Sequence, residues 1–167
     1  LFTKVNIILC LLIVVGFFYR AYPHMFLVPQ WMPCEEEYNY MVVSDLVTTG
    51  SSRQFQFAPL LTQYVIYGVW LLTRINPITL SQYFNPFIGA LTVIPIFLLI
   101  KQFLDSRSSL LIASLWTFSE ASFYRTAYFG TTEPLGFFLA VFGLYFYQKK
   151  QYALLALSLV LSFMPHL

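Results

Sequence analysis

The chain is 167 residues long, with 59% hydrophobic and only 10% charged residues. Since a soluble domain carries roughly 25% charged residues, this composition predicts an integral membrane protein and excludes an ordinary soluble domain. The formal net charge of +2 is spread along the sequence without a basic patch, so no nucleic-acid partner is implied. Two cysteines, Cys10 and Cys34, are too few to define a disulfide framework.

The first apolar run predicts a membrane span that is retained. It reads "VNIILCLLIVVGFFYR" and has no small-residue cleavage site soon after it. It closes on Phe17, Phe18, Tyr19 and Arg20, an aromatic and basic edge that is typical of an interfacial anchor. The chain starts with Leu and stops at "SFMPHL" without a polar tail, which favours a piece of a longer protein.

Five apolar segments predict an all-α, polytopic bundle of about five transmembrane helices. A helix needs about 20 apolar residues to cross the hydrocarbon core, and lipid requires every backbone group to be paired internally. Pro95 is expected to kink the second helix. The predicted spans are residues 5–19, 83–103, 108–124, 134–147 and 151–164.

Segment 58–72, "APLLTQYVIYGVWLL", decides the topology. It is short for a span, and its Tyr, Gln and Trp residues suit the interface. If it lies flat, the short loops on one side hold five of the nine basic residues and a single acid, Asp105. If it spans, Glu133 is separated from the acidic run at residues 35–37. We favour the flat arrangement because it splits the charges more cleanly, with the basic side cytoplasmic.

The flat arrangement gives a long external loop, about 20–82, and a short one, about 125–133. Within the long loop, "EEEYNYMVVSDLVTTG" predicts an interfacial helix that stops at Gly50. At the start of this helix, Glu35, Glu36 and Glu37 stand side by side. The helix dipole favours acids there, but three adjacent carboxylates also repel one another, so a functional role competes with simple capping.

The short external loop carries the second acidic candidate. In "YRTAYFGTTEPLG", Glu133 stands where the loop meets the next helix, and a carboxylate at the mouth of a bundle is a candidate for function. Arg125 in the same loop could pair with Glu133 or bind a lipid phosphate. His166, after the last span, would face the same side, although a terminal His is more often incidental.

These residues suit sugar transfer from a lipid phosphate. Glu35 and Glu133 could share Mg2+ or Mn2+, which would offset the charge of a phosphate leaving group. Alternatively, one carboxylate could act as the general base on an acceptor hydroxyl. Both possibilities remain open at this stage.

The order of these elements resembles the N-terminal half of GT-C fold membrane glycosyltransferases. The acidic run "PCEEEYNY", the piece "FAPLLTQYV" and the run from "NPFIGALTVIPIFLLIKQFL" to "YRTAYFGTTEPLG" carry the resemblance, which covers nearly all of residues 1–167. They are similar to oligosaccharyltransferase catalytic subunits and protein O-mannosyltransferases. The resemblance implies a large first external loop with juxtamembrane helices and a catalytic acid at its start, which is Glu35 or Glu36 depending on the alignment.

The resemblance also implies a second acid, in an Asp-x-Asp or Asp-x-Glu motif of the second external loop. Glu133 matches its second acid, whereas Thr131 replaces the first. This departure favours a mechanism that depends little on metal, or a degenerate enzyme.

The sequence therefore predicts a glycosyltransferase, or the N-terminal piece of one. The donor would be a polyprenyl-phosphate- or pyrophosphate-linked sugar and the acceptor a protein or glycan, on the external or lumenal face of a cell or ER membrane. The alternative is a non-catalytic GT-C-like subunit of a membrane complex. Catalytic candidates are Glu35, Glu36 and Glu133, with Arg125 and His166 as candidates for binding the lipid phosphate.

Overall fold

All regular secondary structure in the described part of the chain is helical. The computed structural model describes residues 4–27, 34–50, 61–119 and 133–163. A π-helical turn, Pro23–Leu27, continues the first helix. The helices in these ranges are α1 Lys4–Tyr22, α2 Cys34–Thr49, α3 Leu61–Thr73, α4 Pro77–Leu91, α5 Val93–Ile100, α6 Ser106–Phe118, α7 Glu133–Gln148 and α8 Tyr152–Phe163. The all-α prediction is confirmed for these residues.

Two of the described helices are long and apolar enough to cross a membrane. They are Lys4–Phe26, with 23 residues, and Pro77–Ile100, with 24. Both exceed the roughly 20 residues that a span requires. The apolar helices Pro134–Gln148 and Tyr152–Phe163 are shorter. The arrangement in five spans and its orientation stay predictions.

Helix α3 covers most of the segment whose topology was open. Its 13 residues extend about 20 Å at 1.5 Å per residue, whereas the hydrocarbon core is about 30 Å thick. Helix α3 packs against α2 and α4. The flat arrangement of this segment stays a prediction.

The continuous pair α4–α5 is the centre of the bundle. Helix α4 packs against α1, α2, α3 and α7, while α5 packs against α1, α6 and α7. An apolar cluster on α5 and α6 is formed by Val93, Phe97, Leu110 and Ala113. Side chains from α1, including Leu9 and Leu12, pack against this cluster. The apolar core therefore lies at the end of the bundle where α1 begins.

The central helix begins earlier than the sequence analysis placed it. The predicted boundary at residue 83 is wrong, because α4 starts at Pro77. Asn76 caps it: the Ile78 N–H donates to Asn76 Oδ1 at 2.9 Å. A proline in the first turn costs no helical hydrogen bond, so this Asn-Pro pair is a favourable start. Residues 77–82 are therefore helical.

Pro95 coincides with an irregularity in the central helix. Thr92 separates α4 from α5, but its backbone is helical and its N–H donates to the Ile88 carbonyl at 3.0 Å. Pro95 has no N–H to donate to the carbonyl one turn earlier, at Leu91. The kink expected at Pro95 stays a prediction.

Helix α2 has the predicted extent and stop. It runs from Cys34 to Thr49. Gly50 follows with φ +71°, and its N–H donates to the Leu46 carbonyl at 3.1 Å. A left-handed residue that closes the last turn is the usual glycine C-cap. The interfacial helix proposed from "EEEYNYMVVSDLVTTG" is confirmed as a helix.

Helix α6 begins at a carboxylate cap. The Arg107 and Ser108 N–H groups donate to the two Asp105 carboxylate oxygens at 3.1 and 3.3 Å. Hydrogen bonds from Ser108 and then Arg107 hold the pKa of this carboxyl below its ordinary value. The predicted start of the third span, residue 108, lies two positions inside the observed helix, whose cap residue the sequence analysis had placed in the cytoplasmic loop.

Candidate functional site

Helices α2 and α7 begin at the predicted catalytic acids. Glu35 and Glu36 are the second and third residues of α2, and Glu133 is the first residue of α7. Their side chains lie outside the described residues, as do Arg125 and His166 entirely. Among the residues that are described, no three His, Cys, Asp or Glu side chains come together as metal ligands. The Mg2+ or Mn2+ site between Glu35 and Glu133 stays a prediction.

The register of α2 separates two of the three adjacent glutamates from the third. The buried residues of α2 are Asn39, Val42, Val43 and Leu46, which form one stripe at helical spacing. Positions 35 and 36 precede Asn39 by four and three residues, so they continue that stripe. Glu37 falls off the stripe and is exposed. Only the first two positions of the acidic run thus share the inward face of α2.

A buried amide pair fastens α2 to α3. The Gln63 side-chain NH2 donates to Asn39 Oδ1, and both residues are almost fully buried. The other half of each amide, Asn39 Nδ2 and Gln63 Oε1, has no hydrogen-bond partner. Thr62 Oγ1, in the same turn of α3, is buried and unpaired as well. Polar atoms without partners therefore accumulate where α2 and α3 meet.

Helix α4 also has a buried polar stripe. It consists of Ser81, Gln82 and Asn85 and continues to Thr92, just after the helix. Ser81 is 0% and Asn85 1% exposed, yet Ser81 Oγ and both amide atoms of Asn85 have no hydrogen-bond partner. Thr92 differs, because its hydroxyl donates to the Ile88 carbonyl at 2.8 Å. An unpaired buried polar group costs about 1–3 kcal/mol, so Ser81 and Asn85 need a reason other than stability.

The opposite face of α4 borders an apolar groove. The groove has a volume of about 580 Å³ and is lined by Phe17, Met25, Val65, Val69, Ile75, Thr79, Leu80, Tyr83, Phe84, Phe87 and Ile88. Its α4 residues lie on average about 150° around the helix from the polar stripe, at 100° per residue. Residues of α1 and α3 also line the groove, while α2 and α7 are further helices that pack against α4.

Arg20 is inside the protein and is not an interfacial anchor. The structure corrects this expectation: Arg20 is 0% exposed, and its Nη1 donates to the Gly16 carbonyl at 3.0 Å. The absence of a side chain at Gly16 provides the space for the Arg20 guanidinium. A Cβ at Gly16 would lie 3.1 Å from Arg20 Nη1 and 3.0 Å from the Thr117 methyl. Arg20 and His24 are the only ionisable side chains among the buried residues that the structure describes.

Ring contacts fix the relative levels of the helices. A Cβ at Gly16 would lie 3.8 Å from Ala90 Cβ, and the His24 and Tyr83 rings are 6.0 Å apart. Since α1 and α4 run in opposite directions, Arg20 lies level with the part of α4 that holds Asn85. The Trp116 and Phe137 rings stack at 4.9 Å, next to Thr117. Position 133, one helical turn before Phe137, is therefore at the same end of the bundle as Arg20.

Sequence reasoning missed the buried polar stripe of α4. Residues 77–82 were assigned to the external loop, which removed Ser81 and Gln82 from any helix face. The signal was nevertheless in the sequence, because Asn76-Pro77 is a helix start and Ser81, Asn85 and Thr92 follow at helical spacing.

No protein-family model matches the chain, and the searches of curated proteins and of solved structures find no match either.

Proposed function

We propose that the chain is a membrane glycosyltransferase, or the N-terminal part of one, that transfers a sugar from a polyprenyl-phosphate or -pyrophosphate donor to a protein or glycan acceptor. It is a multi-pass protein of the cell or ER membrane with its active face external or lumenal. The GT-C resemblance of the sequence supplies the reaction. The site is formed at the end of the bundle where α2 and α7 begin.

One observation carries the proposal. Helices α2 and α7, which start at the candidate acids, both pack against α4, the helix that carries the buried polar stripe. Two acid-bearing helix starts and a buried row of polar side chains thus belong to one region. Carboxylates in a partly buried polar region are suited to general-base catalysis, because burial and neighbouring charges tune their affinity for protons.

The acids have separate roles in the proposed reaction. The acceptor oxygen attacks the anomeric carbon of the donor sugar, the bond from that carbon to the phosphate oxygen breaks, and the phosphate leaves with its electron pair. The acceptor proton passes to Glu35 or Glu36, both on the inward face of α2. Glu133, the first residue of α7, would position the acceptor or share a divalent cation with Glu35.

The buried cation supports this choice of donor. A charged residue inside a membrane helix is costly and is usually retained for function. Arg20 is level with the polar stripe, and its positive charge suits the phosphate of a lipid-linked donor. Arg125 and His166 are further candidates for the same phosphate.

The test is sugar transfer by the complete protein in proteoliposomes, from a panel of polyprenyl-phosphate sugars. Glu133→Gln and one of Glu35→Gln and Glu36→Gln should lower kcat about 100-fold or more, in line with the loss of a general base. Glu37→Gln is the matched control, because Glu37 is exposed, and it should keep its activity. If Glu35→Gln, Glu36→Gln and Glu133→Gln all transfer normally, the site is wrong. If the unaltered protein transfers no sugar, the alternative of a non-catalytic subunit, which Thr131 in place of an acid favours, replaces the proposal.

A further inference from the structure

We propose that Ser81 and Asn85 on α4 bind the hydroxyl groups of a sugar between α2, α4 and α7. No residue of this stripe was among the candidates that the sequence offered. The identity of the ligand rests on the proposed function, whereas the binding site rests on the unpaired polar atoms described above.

The buried polar groups of Ser81 and Asn85 do not stabilise the folded protein. Asn85 brings one amide donor and one amide acceptor into a 1% exposed position, and neither has a partner. Ser81 lies one turn earlier on the same face with an unpaired hydroxyl. Replacing such groups with apolar ones of similar shape is often neutral or stabilising. Their presence therefore indicates a hydrogen-bonding ligand.

The unpaired side-chain atoms include both donors and acceptors of hydrogen bonds. On α4 and at the contact of α2 with α3, the unpaired donors are Asn85 Nδ2 and Asn39 Nδ2, the unpaired acceptors are Asn85 Oδ1 and Gln63 Oε1, and the hydroxyls of Ser81 and Thr62 can do either. A phosphate only accepts hydrogen bonds from such groups and leaves the acceptors unsatisfied. A sugar hydroxyl both donates and accepts, so it complements this mixture.

The position of the polar stripe on α4 suits a sugar that is linked to a phosphate. The stripe lies on α4, against which α2 and α7 both pack, and it is level with Arg20. A sugar held there would have its phosphate towards the buried cation and its ring beside the two helix starts that carry the candidate acids. Ser81 and Asn85 are thus binding residues that decide which sugar is accepted.

The experiment measures binding without transfer. Methyl glucoside, methyl mannoside and methyl galactoside are titrated against the complete protein in lipid nanodiscs, with saturation-transfer NMR as the readout and inorganic phosphate as the comparison ligand. Asn85→Leu and Ser81→Ala should each weaken the binding of the preferred glycoside about tenfold, the effect of losing one or two ligand hydrogen bonds. Thr92→Val is the matched control: it lies on the same stripe but its hydroxyl is already paired, so glycoside binding should not change.

Thermal unfolding of Ser81→Ala separates ligand binding from folding. Removing a hydroxyl that has no partner in the protein should leave the melting temperature unchanged or raise it. A lower melting temperature shows that the hydroxyl is structural and overturns the proposal, as does glycoside binding that survives both Asn85→Leu and Ser81→Ala, or binding of phosphate alone. If the glycosides bind as expected but the protein transfers no sugar, the proposed function fails and the binding site stands.

Discussion

The buried side chains are apolar at one end of the bundle and polar at the other, although the same long helices form both ends. At one end, Val93, Phe97, Leu110 and Ala113 form an apolar cluster. At the other, Arg20, Ser81 and Asn85 are as deeply buried, but they are polar and two of them have unpaired atoms. The first end therefore stabilises the packing of the helices, whereas the second carries the buried polar groups that we propose to bind a ligand.

The largest expected effect is at the apolar end. Phe97→Ala removes a ring that is 3% exposed and leaves a cavity. We expect a loss of about 3 kcal/mol in the free energy of unfolding, at the low end of the range for such cavities, because lipid competes for the apolar surface. Unfolding in mixed micelles measures it. Phe103→Ala, at a 62% exposed position, is the control and should cost far less. Equal losses would mean that the cluster does not hold the bundle.

The next effect is at the boundary between the two ends. Gly16→Val places a branched side chain against the Thr117 methyl, 3.0 Å from the new Cβ, and against the Arg20 guanidinium. Such overpacking typically costs about 1–3 kcal/mol, which a lowered melting temperature should report. Gly68→Val meets no atom within 4 Å of its Cβ and should stay within about 0.5 kcal/mol of the unaltered protein. If both variants behave alike, α1 does not approach α4 and α6 as closely as described.

The smallest effect concerns the amide pair of the polar end. A double-mutant cycle of Asn39→Ala and Gln63→Ala should give a coupling of about 1 kcal/mol, the net contribution of one buried hydrogen bond. Chemical unfolding of the two single variants and the double variant measures it. Asn76→Ala combined with Gln63→Ala is a control pair that shares no hydrogen bond, since Asn76 bonds to Ile78. A coupling near zero would show that α2 is held to α3 by its apolar residues alone.

Local sequence patterns predicted most helices, but they did not predict which side chains the helices bury. Gly50 at the end of α2 and the apolar runs of α1, α7 and α8 are readable, because caps and hydropathy act over a few residues. The early start of α4 was also readable from Asn76-Pro77 but was overridden by the apolar run that begins later. The burial of Arg20 was not readable, since it depends on Gly16 one turn away and on Thr117, which is distant in the sequence.

The candidate site was predictable only in part, for a similar reason. The inward positions 35 and 36 could have been distinguished from 37 once a helix was assumed, because helical spacing relates them to Asn39. The contribution of α4 required knowledge of which helices pack together. Ser81 and Asn85 resemble ordinary polar residues near a membrane surface until their burial and their unpaired atoms are known.

Helix α4 carries two surfaces of different polarity. Its apolar groove and its buried polar stripe lie on largely different sides. A lipid in the groove and a sugar at the proposed site would therefore touch the same helix, and a shift of α4 would affect both.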